Sequence, residues 1–289
     1  MSLKNEIGKI GNVVFSAGAL GGIAFIGAIK AMEEHNLFPK IKGISGCSVG
    51  SVISMLYSIG YTSAELNKIG MGFKYKKYMD IQVLGFLQNC GLETGKKLVK
   101  LMSELIHYKT GMRDLTFEQH WNITGRELWI NSSCITNNKA CYYSVKTSPK
   151  MSILRAIRRS ISIPFLFTTD TEQGMQYVDG GYHDSVPCWM FKKDETVCYA
   201  VKNAGFGSLS SDMDNEFLRF CMQITMNMHT SLNNYRKTSL LQMYNVVEIP
   251  TGVPSMAMNL TRSEKKHLIA KGYNIALKYL SQSVTNAQV

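Results

Sequence analysis

The sequence predicts an α/β fold with a mainly parallel central sheet, and three observations carry that reading. Asn12 to Phe15 is a short β-branched and aromatic run that stops at small residues before apolar positions resume at helical spacing. Phe38 to Leu56 repeats the same strand, small-residue loop and helix order. Successive units of this kind require right-handed crossovers, which bring both loops out at the same edge of one sheet.

In the first unit the loop is Ser16-Ala17-Gly18-Ala19-Leu20-Gly21-Gly22, and Ile23, Ile26 and Ile29 mark the helix that follows. Such a loop offers backbone N–H groups at a helix N-terminus, a cradle for a phosphate or a developing oxyanion. Ala19 breaks the Gly-x-Gly-x-x-Gly fingerprint, Glu33 and Glu34 fall on a helix, and no Gly-Lys-Ser/Thr follows a glycine-rich loop, so a nucleotide site is not expected. From Gly11 to Ile29 only Asn12 and Ser16 are polar, but five glycines and the absence of a cationic start argue against a spanning helix or a signal peptide.

The second unit contains Gly46-Cys47-Ser48-Val49-Gly50. A Gly-x-Ser-x-Gly sequence at a strand-to-helix corner lifts the serine clear of the sheet, and the flanking glycines remove the bulk that would prevent so sharp a bend. Ser48 is the candidate nucleophile, Gly46 and Gly50 form its elbow, and Cys47 is expected to turn into the core. Val49, Ile53, Leu56 and Ile59 continue as a helix whose positive dipole end faces the serine. Taken alone, the motif also fits an ordinary glycine-rich loop.

Thr62 to His120 is mainly helical by pattern and is expected to cap the sheet. Its start, Phe73-Lys74-Tyr75-Lys76-Lys77-Tyr78, alternates rings with lysines, as an interfacial membrane segment, a base-stacking patch or a solvated loop would. Leu128 to Cys134 and Lys139 to Val145 form a hairpin or two neighbouring strands across Asn137-Asn138, and Ser152 to Ser160 is a helix ended by Pro164. Gln176 to Pro187 brings Asp179 from a short strand onto Gly180-Gly181, where its carboxylate projects beside bare backbone; Asp-Gly is also a common turn pair. Val197 to Val201 is a further buried strand. Glu216 to Leu232 is a helix whose Met222, Met226 and rings are expected to fill the core, and Ser263 to Leu280 is a last amphipathic helix.

These motifs, in this order, resemble the patatin-like phospholipase family. The resemblance runs from about Asn12 to Val201 and includes Ile26 to Glu34 and Ser160-Ile161-Ser162-Ile163-Pro164. It implies a three-layer αβα sandwich with a helical cap and C-terminal helices. It also implies a lipid acyl hydrolase of phospholipase A type, with Ser48 as nucleophile, Asp179 as general base and the amides of Gly18 and Ala19 as oxyanion donors. Ser48 would form an acyl-enzyme that water, activated by Asp179, then hydrolyses. The chain departs from the family's Gly-Gly-Gly-x-Arg/Lys-Gly loop, since Ala17 and Ala19 replace two glycines and the basic residue is missing. Alanine donates its amide as well as glycine provided the loop does not require a positive φ there. The alternative is a catalytically weak or silent lipid-binding protein on the same fold.

The implied organisation is a catalytic domain at 8–205 and a C-terminal helical extension at 206–289 on the same domain. A Ser-His-Asp triad using His267 or His229 is disfavoured because such hydrolases place several strands before the elbow; His183 remains a candidate assistant base. No calcium loop, zinc spacing or other cofactor signature occurs, so neither metal nor cofactor is expected. Seven cysteines without a Cys-x-x-Cys pair read as reduced thiols, implying an intracellular, cytoplasmic protein in which the sequons at Asn122, Asn131 and Asn259 carry no meaning. A net charge of +11 favours peripheral association with anionic phospholipid surfaces, and with the phospholipase resemblance no nucleic-acid partner is expected.

Overall fold

The computed structural model describes residues 9–82, 86–205, 216–255 and 257–285. Its central sheet has the strand order β10-β9-β1-β2-β4-β8-β7, with β5 also paired to β4. β1 (Asn12–Phe15), β2 (Gly43–Gly46) and β4 (Glu127–Cys134) run parallel, as do β9 (Thr196–Lys202) and β10 (Asn245–Pro250) on the other side of β1. β5 (Lys139–Tyr143), β7 (Asp170–Glu172) and β8 (Met175–Asp179) are antiparallel additions at one end. The mainly parallel α/β architecture expected from the two successive units is present.

Side chains alternate across the strands, and here both faces are buried. Val13, Phe15, Ile44, Val197 and Tyr199 belong to the large core with α1 (Phe25–Glu34), α2 (Val49–Ser58) and α10 (Arg262–Thr285). Phe15 lies against Phe25, Tyr57 and Tyr199 at centroid distances of 5.2, 6.3 and 6.1 Å. On the opposite face Val14, Cys198 and Ala200 pack with Val186, Cys188 and Tyr244, the last at the end of α9 (Glu216–Met243). The expected boundary after residue 205 falls at 206–215, outside the described residues; beyond it, the chain supplies strand β10 as well as helices.

The cap comprises α3 (Ser63–Gly72), α4 (Tyr75–Tyr78), α5 (Phe86–Asn89) and α6 (Lys96–Thr110), followed by α7 (Phe117–Thr124). It is not wholly helical: β3 (Gly91–Glu93) pairs in parallel with β6 (Phe165–Phe167), downstream of α8 (Ile153–Ser160). A three-residue strand leaves too short a pattern to read, and Gly91 is needed because a Cβ there would sit 2.2 Å from the Phe167 carbonyl.

β4 acts as a ruler for the site. Along one edge it pairs first with β2, ending at Gly46 opposite Ile130, and then with β8, where Asp179 stands opposite Ser132. β5 occupies the other edge over the same stretch. The end of the strand that leads into Ser48 and the end of the strand that carries Asp179 therefore meet only two residues apart on β4, roughly 7 Å.

Candidate active site

Ser48 sits between β2 and α2 with φ 53° and ψ −124°. A non-glycine residue in this region is strained and persists only where its surroundings force it. Here a Cβ on Gly46 would lie 2.2 Å from the Gly50 carbonyl, and one on Gly50 2.1 Å from the Phe15 carbonyl. The two glycines thus let the elbow close against itself and against β1. The Ser48 amide donates to Ser160 Oγ at 2.9 Å, and Ser51 Oγ donates to the Ser48 carbonyl at 2.6 Å. Cys47 is fully buried, as expected, and burial beside Asp179 and Asp184 raises its thiol pKa well above the usual value.

Asp179 ends β8 and is 7% exposed; Ser48 is 6% exposed. The Asp179 amide donates to the Ser162 carbonyl at 2.8 Å, and Oδ1 accepts from the Gly181 amide at 2.7 Å. Gly180 allows the corner to press on β4, since a Cβ there would meet the Asn131 carbonyl at 2.6 Å. Asn131 Nδ2 donates to the carbonyls of Gly180 and Asp184, and Ser133 Oγ donates to that of Gly180. Burial raises the Asp179 pKa to about 6, opposed by the Ser48 hydroxyl and the Gly181 amide. The serine is therefore close enough to stabilise the carboxylate, although Oδ2 makes no hydrogen bond of full geometry. Such contacts are commonly loose before substrate binds.

The small-residue loop lies on the other side of Ser48. Gly18 is packed against Val201, with a hypothetical Cβ 2.9 Å from the valine Cβ, and its carbonyl accepts from Asn203 Nδ2 at 3.1 Å. Among the described residues the Gly18 amide has no acceptor. Ala19 begins a 3-10 turn, Ala19–Ala24, with φ 46°. The condition set on the sequence is not met: this loop does use a positive φ, and an alanine bears it. The first amides of a helical turn have no partner within the turn, which leaves the Gly18 and Ala19 N–H groups unpaired by it.

Two cavities meet at Ser48. One, of about 220 Å³, is apolar and runs between α2, α3 and α6, with Ile23, Val52, Leu66 and Met102 among its walls. The other, of about 180 Å³, is lined by Gly18, Asp179, Tyr182, Lys202 and Asn203, with Thr225, Met226 and Asn233 from α9. Ala19, Ser48, Ile163 and Ser255 border both.

Of the candidate histidines, neither His183 nor His267 borders the two cavities. The Nε2 atom of His183 lies 3.0 Å from Asn138 Oδ1 at the β4–β5 turn, and burial lowers its pKa. His267 is exposed on α10, and the side chain of His229 lies outside the described residues. Asn131, Ser160 and Asn203 are positioning residues that the sequence reading did not assign. Asn131 offered one signal, a polar amide directly after the apolar run Leu128-Trp129-Ile130. Among the described residues no group of three His, Cys, Asp or Glu side chains is placed to hold a metal.

Comparison with known proteins agrees with this architecture. The R571 protein of Acanthamoeba polyphaga mimivirus is 26% identical over 275 residues, covering 91% of each chain. The probable lipid hydrolase 463L of Invertebrate iridescent virus 6 is 31% identical over 191 residues, 64% of this chain and 64% of that protein. The crystal structure of VipD from Legionella pneumophila superposes with a TM-score of 0.64 at 16% identity, covering 95% of this chain and 67% of that one. The sequence model of patatin-like phospholipases matches residues 13–192, a span that runs from β1 past the Asp-Gly-Gly corner, and the chain belongs to the patatin-like phospholipase family.

Proposed function

We propose that the protein is a lipid hydrolase that cleaves fatty-acyl esters of phospholipids, in the manner of a phospholipase A, through a Ser48-Asp179 dyad. The observation that carries the reading is the junction at Ser48: a strained serine and a buried carboxylate border a cavity of mixed lining where it joins an almost wholly apolar one. The apolar cavity suits an acyl chain, and the mixed one, with Lys202, Asn203 and Asn233 in its lining, suits the glycerol and headgroup side of the substrate.

In this reading Ser48 Oγ attacks the ester carbonyl while its proton passes to Asp179. The amides of Gly18 and Ala19 hold the developing oxyanion. Collapse breaks the ester C–O bond, and Asp179 returns the proton to the departing lysophospholipid oxygen. Water then gives its proton to Asp179 and attacks the acyl-enzyme, and breakage of the bond to Ser48 Oγ releases fatty acid as the serine is reprotonated. A desolvated carboxylate is a stronger base than a solvated one, which favours this use of Asp179 without a histidine. Peripheral binding to anionic phospholipid is part of the proposal, supported by the net charge of +11. Among the described residues no helix is long and apolar enough to cross a membrane.

The second reading, a lipid-binding protein of little or no turnover, draws on Ala17 and Ala19 in the oxyanion loop. Rapid quenching of enzyme with phospholipid vesicles, followed by peptide mass spectrometry, separates the two. An acyl adduct on the Ser48 peptide, absent from Ser48→Ala, is expected. Fatty-acid release by Ser48→Ala at the wild-type rate would overturn the dyad, and binding without release would favour the second reading.

A further inference from the structure

The core-filling role expected for the Met- and Phe-rich helix holds for only one side of α9. Met222 is buried, and with the partly buried Met226 it packs against Leu166 and Phe167 on β6. Two rings and a third methionine face the other way: Phe217 is 74% exposed, Phe220 60% and Met228 66%. With Ile224 and Leu232, also exposed, they stand at spacings of three, four, four and four residues, which is one continuous stripe along a helix. From Phe217 to Asn234 the only charged residue is Arg219. The sequence reading could count the apolar positions but not say that they form two faces.

The Lys and Tyr segment is divided in the opposite sense. Tyr75 turns inward to the cluster that holds Met222 and Met226, and it lines the apolar cavity; Phe73 stacks on Tyr78 at 5.3 Å. Lys74, Lys76 and Lys77 are exposed. The lysines of α4 and the apolar stripe of α9 are thus carried by elements joined through one small hydrophobic cluster. The inward side of α9 lines the mixed cavity at Ser48 through Thr225, Met226, Thr230 and Asn233, and Asn233 Nδ2 donates to the Gly181 carbonyl at 3.2 Å.

We infer that the outer stripe of α9, together with the exposed Lys74, Lys76 and Lys77 on the other element packed on the same cluster, is a docking face for an anionic phospholipid surface. A helix with a narrow apolar stripe, too polar elsewhere to span, lies in the plane of an interface. The exposed lysines of that second element, within a chain of net charge +11, supply the complementary charge. A second copy of the chain fits the face less well, because the stripe exposes on the order of 500 Å² of side chain, less than the ~800 Å² each partner gives in a stable dimer. The inference deepens the proposed function, since docking here sets the cavities against the lipid from which substrate enters. Its test does not depend on turnover.

The experiment compares Ser48→Ala with the same protein carrying Phe217→Ser, Phe220→Ser and Met228→Ser, by sedimentation with vesicles of phosphatidylcholine containing phosphatidylglycerol. The triple change is expected to weaken binding roughly tenfold or more, with unchanged circular dichroism. Lys74→Gln, Lys76→Gln and Lys77→Gln together are expected to remove the preference for phosphatidylglycerol and the salt dependence. In the wild-type background the triple change should slow vesicle hydrolysis while sparing a short-chain monomeric ester. Vesicle binding unaltered by the triple change would overturn the inference, as would a wild-type dimer converted to monomer with vesicle binding intact. Failure of the wild type to hydrolyse any ester, with the binding results as expected, would sink the hydrolase reading and leave the docking face standing.

Discussion

The turns at Ser48 and Ala19 border the same cavities and share a backbone feature, a non-glycine residue at φ 53° and 46° respectively. They differ in what the strained residue contributes. In the proposed mechanism the elbow needs its side chain, and two glycines, one on either side, let the main chain fold tightly enough to present it. From the Ala19 loop the same mechanism takes only an amide, so the alanine methyl would be an avoidable burden. Strain at a position whose side chain is needed marks chemistry, whereas strain at a position that needs only backbone marks tolerance.

The sharpest consequence is an asymmetry between substitutions. Ser48→Ala is expected to lower phospholipid turnover about 10⁴-fold or more, by analogy with nucleophile removal in other serine hydrolases. Ala19→Gly should leave turnover within a few-fold in the same fatty-acid assay. Comparable losses at both positions would break the comparison. Gly50→Ala is expected to prevent folding or cost at least about 3 kcal/mol in urea unfolding, because its Cβ would overlap the Phe15 and Ser16 carbonyls.

Asp179 extends the comparison to a site where the proposed function opposes stability. Its pKa, raised by burial to about 6, means that the folded state holds the carboxyl proton to a higher pH than the unfolded chain does. Stability attributable to this group is full below about pH 4 and is lost as pH rises through about 6. Asp179→Asn should therefore stabilise the protein by about 3 kcal/mol at pH 8, from a shift of roughly two units, with no gain near pH 3.5. Urea unfolding at the two pH values measures it. The wild-type rate should rise with pH through about 6 as the base ionises. The smallest effect is at the oxyanion loop, where Ala19→Gly should gain about 1 kcal/mol by relief of the left-handed conformation.

The elbow and the acid corner were legible in the sequence because each is a local device, glycines set around a residue that must project. The parallel sheet was legible from two adjacent strand, loop and helix units. What joins these parts was not. Ser160, Asn131 and Asn203 act across separations of 112, 49 and 185 residues, on the amide of Ser48 and the carbonyls of Gly180 and Gly18, and no periodicity encodes such pairings. β3 and β6 are too short to show alternation. The Met-rich helix misled for a different reason: apolar spacing identifies a face, but only packing decides whether that face is covered.

The most direct test of the dyad is fatty-acid release from mixed phospholipid vesicles by wild type, Ser48→Ala and Asp179→Asn, with circular dichroism as the control for folding. Release by the wild type and its loss in both variants, with Asp179→Asn more stable than wild type at pH 8, is the expected result. Undiminished release by either folded variant would contradict the account.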